Sequence, residues 1–134
     1  MRTRFGVLLA GLGLVCLTVP VAAHHGFDTE YDKNKVIKGT GVVSKVEWTN
    51  PHMHVYIDVT DARGTVTTYN LELTSPNTIQ RQGWTKTDLL AGEKVMFTGR
   101  AGIVVESRGA LDSLVKVSAP KQEIFRGDRP DDLK

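Results

Sequence analysis

Residues 53–73 read MHVYIDVTDARGTVTTYNLEL and contain two alternating segments around a glycine turn. In the first segment apolar residues alternate with polar ones, which is the period-two pattern of a half-buried strand. Ala62-Arg63-Gly64 is typical of a three-residue hairpin loop with glycine in the left-handed conformation. Such a loop places Asp61 opposite Thr65 and predicts that the large apolar side chains of both strands face one side.

The same register brings polar residues together on the opposite, solvent-facing side. It pairs His54 with Glu72 across the hairpin. An upstream strand returns through the turn Thr49-Asn50-Pro51, and this second hairpin pairs Glu47 with His54. His54 is therefore predicted to lie between Glu47 and Glu72 on the outer face of a three-stranded meander.

The rest of the chain predicts a helix and two further strands. Ser75-Pro76 is typical of a helix start, with serine as cap and proline at the first helical position. Val95-Met96-Phe97 is predicted as the fourth strand, and Ile103-Val104-Val105 and Leu114-Val115-Lys116-Val117 are predicted to supply the remaining strand material. The order β-β-β-α-β-β predicts an all-β fold with one short helix, built as a five-stranded OB-like barrel over residues 36–118. Residues 24–35 are predicted to form an N-terminal arm and residues 119–134 a mobile charged tail.

Residues 1–23 have the pattern of a secretory signal peptide. Arg2 and Arg4 precede an apolar run that ends before Pro20, and the small residues Val21-Ala22-Ala23 suit a leader peptidase. The run is short for a spanning helix, which needs about 20 residues, although an uncleaved anchor is the alternative interpretation. We expect cleavage after Ala23, a periplasmic or secreted location, and no membrane span after signal cleavage.

Charge and cysteine content exclude several classes of protein. The chain has 134 residues, with 17 Lys+Arg and 15 Asp+Glu, so removal of the two leader arginines leaves no formal net charge. We therefore expect no nucleic-acid partner. Cys16 is the single cysteine, so the mature chain would have neither a disulfide nor a thiolate metal site. No nucleophile elbow and no phosphate-binding glycine loop occurs, so we expect no enzyme.

The four histidines fall into two pairs, His24-His25 and His52-Met53-His54. After cleavage His24 would carry the free α-amino group, which can chelate a metal ion together with an imidazole, and His52 can add a further nitrogen. His54 would project to the same face as His52, and Glu47 and Glu72 can supply oxygens or orient an imidazole. The candidate metal ligands are therefore His24, His25, His52, His54, Glu47 and Glu72, with Cu or Zn as the ion.

Structural roles are the alternative for the same residues. A histidine between two glutamates can stabilise a sheet as a cross-strand pair by about 0.2–1 kcal/mol, and His52 can hold the turn after Pro51 through a hydrogen bond. The domain would then recruit a periplasmic protein or an envelope glycan, with no metal involved.

Four motifs together resemble one uncharacterised family of exported bacterial proteins. They are His24-His25-Gly-Phe, Glu47-Trp48-Thr-Asn-Pro51-His52, Glu72-Leu-Thr-Ser-Pro76-Asn and Arg81-Gln-Gly-Trp84. The family is classed as domain of unknown function 6152, and the likeness extends to about Val117. It implies export and one small β-rich domain, and it supplies no activity.

A second resemblance is to small periplasmic copper chaperones built on a five-stranded barrel. Trp48 followed by Pro51-His52-Met53-His54 is similar to their Trp-Pro-x-Met-x-Met run, and Gly92-Glu93-Lys94-Val95 is similar to their fourth-strand run. Val55 stands where that family has its second methionine. A copper(I) site of the chaperone type would therefore be incomplete in this chain.

Overall fold

The computed structural model describes residues 25–126, which form two short helices and six strands. In chain order these are α1 His25–Glu30, β1 Tyr31–Glu47, β2 His54–Thr60, β3 Val66–Glu72, α2 Pro76–Arg81, β4 Lys94–Gly102, β5 Arg108–Lys116 and β6 Glu123–Arg126. The predicted order β-β-β-α-β-β corresponds to β1 through β5 with α2 between β3 and β4. Among residues 25–126, neither helix has the length and hydropathy of a membrane-spanning segment.

Five of the strands form a hydrogen-bonded ring. β1 pairs antiparallel with both β2 and β4, β2 pairs with β3, and β4 pairs with β5. A short parallel pairing of β3 with β5, at Asn70 opposite Arg108 through Glu72 opposite Ala110, completes the ring. The mostly-β prediction is thereby confirmed, and the OB-like barrel stays a prediction of finer detail.

The predicted hairpin registers are confirmed. β2 and β3 pair Val55 with Leu71 and His54 with Glu72, and β1 and β2 pair Glu47 with His54. Gly64 adopts a φ of 84° in the hairpin loop, and its amide donates to the Asp61 carbonyl at 3.0 Å. The register holds because a shift by one residue would turn the apolar side chains out to water.

The core is a cluster of buried apolar side chains contributed by the strands and α2. Met53, Val55, Ile57 and Leu71 are fully buried, as the alternation predicts. Ile79 of α2 is also fully buried, and the Ser75 side chain caps this helix by accepting from the Thr78 amide. The helix that the Ser75-Pro76 pair predicts is therefore present and contributes to the core.

Residues 24–35 are predicted to form an N-terminal arm without regular structure. In the structure this segment contains α1, which the sequence analysis did not predict, and the start of β1. α1 leads directly into β1, and Tyr31 pairs with Gly102 of β4. Residues 25–126 therefore contain two short helices rather than one. The sequence did not indicate α1 because this helix has only six residues. A helical hydrophobic period can be recognised only over a longer segment.

The predicted tail also contributes to the fold. Ile124 and Phe125 are buried, and β6 pairs with β5, with Phe125 opposite Leu114. The Phe125 ring makes edge contacts with Trp48 and Trp84, with centroids 6.2 and 6.1 Å away. The tail predicted from residue 119 therefore contains a strand as far as Arg126, because two apolar residues in this charged segment pack onto the core.

Ile103-Val104-Val105 is a loop and not the predicted strand. β4 ends at Gly102, and the three apolar residues that follow are exposed, Val104 by 93%. A Cβ at Gly102 would lie 2.3 Å from the Val105 carbonyl oxygen, so the chain turns tightly here. The turn therefore interrupts what appears in the sequence as a continuous apolar strand.

Candidate functional site

Two rows of half-exposed polar side chains cross the outer face of the β1–β2–β3 meander. The rows are Glu47–His54–Glu72 and Lys45–Tyr56–Asn70. The first row confirms the predicted position of His54 between two glutamates. The side-chain contacts, however, differ from a simple histidine–glutamate pairing.

Glu72 holds two side chains that are distant from each other in the sequence. One carboxylate oxygen forms an ion-pair contact with His52 Nδ1, and the other accepts a hydrogen bond from the hydroxyl of Tyr31. The Glu72 side chain is 19% exposed, whereas that of His52 is 51% exposed. Glu72 therefore joins the turn before β2 to the first residue of β1.

Glu47 is occupied by different partners. It accepts a hydrogen bond from the Lys45 amine and another from the Tyr56 hydroxyl at 3.0 Å. The Lys45 hydrogen bond, followed by that of Tyr56, lowers the pKa of Glu47. Burial, followed by the bond to Glu47, raises the pKa of Tyr56. Glu47 and Glu72 thus lie on either side of His54 but belong to separate hydrogen-bonded groups.

His54 bonds to an amide instead of a carboxylate. Its Nδ1 lies 2.7 Å from Asn70 Oδ1, and Asn70 Nδ2 donates to the Tyr56 hydroxyl at 3.4 Å. Because the amide oxygen only accepts, Nδ1 of His54 carries the proton in this network. The neutral imidazole therefore has its lone pair at Nε2, the atom left available to a ligand.

The other predicted ligands are only partly located. His24 and the side chain of His25 lie outside the described residues, so the structure gives no distance from them to His52. Within residues 25–126 no group of three or more His, Cys, Asp or Glu side chains is arranged to hold a metal ion. Met53 is fully buried and points into the core, away from the histidines.

The N-terminal segment nevertheless lies on the side of the molecule that carries His54. Thr29, Glu30 and Tyr31 line a cavity of about 340 Å³ together with His54 and Glu72. The Glu30 carbonyl accepts from the Ile103 amide at 2.9 Å, which fixes the end of α1 to the β4–β5 loop. By helix geometry, His25 is about 7.5 Å along the axis from Glu30, the last residue of α1.

Sequence reasoning missed Tyr31, Asn70 and Arg108 as site residues. Asn70 was detectable, because the hairpin register already places it opposite Tyr56. Tyr31 reaches Glu72 across 41 residues of chain, and Arg108 reaches Asn70 only through the parallel β3–β5 pairing. Neither contact has a local signal in a single sequence.

We expect Tyr31→Phe to change how stability depends on alkaline pH. Burial, followed by the hydrogen bond to Glu72, raises the pKa of Tyr31 above its usual value. A raised folded-state pKa stabilises the fold fully below the unfolded value of about 10, and this contribution is lost as pH rises above it. Urea unfolding should therefore show a steeper decline above pH 10 for the wild type than for Tyr31→Phe.

The matched control is Tyr69→Phe, which removes a hydroxyl elsewhere and keeps the Tyr31–Glu72 bond. It should retain the steep decline. An equally steep decline in Tyr31→Phe would show that this bond does not form in solution.

The fold and these contacts define a class of protein: a small β-rich domain with a half-buried polar network on one sheet face, beside a cavity. The chain belongs to a family of unknown function (DUF6152), whose model matches residues 10–109. This confirms the resemblance drawn from the four motifs. The matched range includes the meander, α2 and β4 and ends at the start of β5. No curated protein and no solved structure matches the chain.

Proposed function

We propose that this protein is an exported binding module, not an enzyme, and that it binds a copper-like divalent metal ion through imidazole nitrogens. One observation carries the proposal: His54 lies opposite Glu72 in the β2–β3 pairing, His52 contacts the Glu72 carboxylate, and the Nδ1 atoms of both histidines lie against oxygen atoms. An imidazole held through Nδ1 in this way presents Nε2 to a metal, as in known carboxylate–histidine–metal arrangements.

Two imidazoles alone make a weak site, so the proposal requires the processed N-terminus. Cleavage after Ala23 would give His24 a free amine, and His25 begins α1, whose last residues line the cavity beside His54. An amine with several imidazoles suits Cu(II) best and Zn(II) next. The leader pattern of residues 1–23 supports a periplasmic or secreted location.

The glutamates support a binding role over a catalytic one. Each is held by fixed donors, Glu47 by Lys45 and Tyr56 and Glu72 by His52 and Tyr31. A carboxylate with its oxygens engaged in this way orients its neighbours, whereas a general base needs an oxygen within reach of the proton it removes.

The proposal is tested by calorimetric titration of Cu(II) and Zn(II) into the chain that begins at His24. We expect one high-affinity copper site, with binding that strengthens as pH rises past about 7–8, because the metal displaces the α-amino proton. A His24→Ala, His52→Ala double variant should bind copper at least about tenfold more weakly. Equal affinity in wild type and double variant would overturn the proposal.

Two controls separate the contributions to this site. A methionine placed before His24 keeps every side chain but moves the free amine, and it should weaken copper binding. Lys35→Ala removes an exposed cation that pairs with Glu106 and is not among the proposed ligands, and it should leave binding unchanged.

One observation favours a second function, recruitment of a partner protein without metal. Ile103, Val104 and Val105 form an exposed apolar loop beside the cavity, and exposed apolar patches mark interaction sites. Co-purification from the periplasm with and without a chelator distinguishes the two functions. A partner retained in chelator and lost in Val104→Ser would support recruitment, and a partner released by chelator would support the metal site.

A further inference from the structure

The cavity beside the polar network has two contrasting walls. His54, Asn70 and Glu72 line it on the sheet side, and Val104 and Val105 line it on the loop side. Its volume of about 340 Å³ lies near the lower end of the range of small-molecule pockets, about 300–1,000 Å³. Such a space suits a ligand with a few non-hydrogen atoms.

Arg108 is the cation of this cavity. It lies at the start of β5, beside Asn70 in the parallel β3–β5 pairing, and its side chain is exposed. Among residues 25–126 it forms no salt bridge with any carboxylate. The guanidinium is therefore not neutralised by the part of the protein that the structure describes.

In the part of the chain that the structure describes, none of the nearby carboxylates pairs with Arg108. Both oxygens of Glu72 are already bonded, and Glu106 pairs with the Lys35 amine at 2.6 Å. Glu30 also lines the cavity without pairing with Arg108. A planar guanidinium matches a carboxylate through two parallel hydrogen bonds. The carboxylate of a ligand would therefore give Arg108 the charged acceptor that the neighbouring residues do not provide.

The loop side of the cavity, formed by Val104 and Val105, indicates the chemistry of the part of the ligand that does not contact Arg108. Val104 is 93% exposed and Val105 is 44% exposed, and Gly102 and Gly109 add no side chain to this side of the cavity. Covering these valines removes apolar surface from water, which favours binding of an apolar group. The cavity thus combines a cation with a short apolar wall.

We propose that this cavity binds a carboxylate that bears a short apolar chain, with the carboxylate on Arg108 and the chain on Val104 and Val105. A free small organic acid and the C-terminal carboxylate of a peptide share this chemistry. The inference goes beyond the proposed metal site and requires no metal ion.

The test is an NMR titration of the full processed chain in the presence of a chelator, with hexanoate as the probe and hexanamide as its uncharged match. Hexanoate should shift the backbone amide signals of residues 102–109, and hexanamide should not. Arg108→Gln should weaken hexanoate binding about tenfold or more, since a hydrogen-bonded charge is lost. Arg63→Gln, which removes an exposed arginine in the β2–β3 loop, should bind as the wild type does.

Val104→Asp provides a second variant at a highly exposed position, where the substitution leaves the core unchanged. It should weaken hexanoate binding by removing apolar contact and adding repulsion. Equal binding of hexanoate and hexanamide, or wild-type affinity in Arg108→Gln, would overturn the inference. A short peptide with a free or an amidated C-terminus distinguishes the two sources of the carboxylate.

The two proposals fail separately. Arg108→Gln should retain the copper affinity of the wild type, because Arg108 is not among the proposed ligands. The His24→Ala, His52→Ala variant should retain hexanoate binding in chelator. A wild-type chain that binds hexanoate but no copper would therefore remove only the metal proposal, and one that binds copper but no hexanoate would remove only this one.

Discussion

Phe125→Ala is expected to lower the free energy of unfolding by about 3–5 kcal/mol. The side chain is fully buried and its ring lies edge-on to both Trp48 and Trp84. Truncation would leave a cavity between two large aromatic rings that the backbone of β6 cannot fill. Since small domains have a total stability of only about 5–15 kcal/mol, this single change would remove a large share of it.

Urea unfolding followed by tryptophan fluorescence measures this loss directly, because both tryptophans contact the substituted ring. Val104→Ala is the matched control: it also shortens an apolar side chain, but at an exposed position, and should change stability by less than about 0.5 kcal/mol. A loss below about 1 kcal/mol in Phe125→Ala would mean that β6 does not pack onto the core in solution.

Gly99→Ala is expected to lower the free energy of unfolding by about 1–3 kcal/mol. Gly99 lies in β4 where the register with β5 shifts, and an added Cβ would lie 2.3 Å from the backbone carbonyl oxygen of Ala110. A backbone atom cannot swing away as a side chain does. The two strands would have to separate locally, which strains the centre of the ring.

Gly26→Ala is the control for Gly99→Ala. Gly26 lies in α1 with nothing within 4 Å of its added Cβ, so alanine there should be neutral or stabilising, since alanine favours helices over glycine. Thermal unfolding of both variants distinguishes close packing from a general effect of replacing glycine. Equal stability of Gly99→Ala and wild type would contradict the close approach of β4 and β5.

Much of the candidate site followed from the hairpin register alone. The alternation in residues 53–73, the glycine turn and the Thr49-Asn50-Pro51 turn together place Glu47, His54 and Glu72 in one row, and the structure confirms that row. The partners within the row did not follow. His54 bonds to Asn70 and not to a glutamate. This partner depends on side-chain geometry, which the backbone register does not specify.

Predictions failed where a single apolar residue decided the structure. Phe125 anchors β6, and Tyr31 anchors the start of β1, although each lies in a mostly polar segment. The prediction of strand material at Ile103-Val104-Val105 failed for the opposite reason, because these three consecutive apolar residues form an exposed loop. Periodicity needs several turns or alternations to be detected, and none of these segments is long enough.

The amino-acid sequence by itself determined the three-stranded meander, the capped helix after Ser75 and the row of Glu47, His54 and Glu72, because these depend on neighbours in the chain and on turn geometry. The tertiary structure alone decided that Tyr31 bonds to Glu72 and that Arg108 lies beside Asn70. Those contacts join distant segments through one residue at each end, and they form only once the core has brought β1, β3 and β5 together.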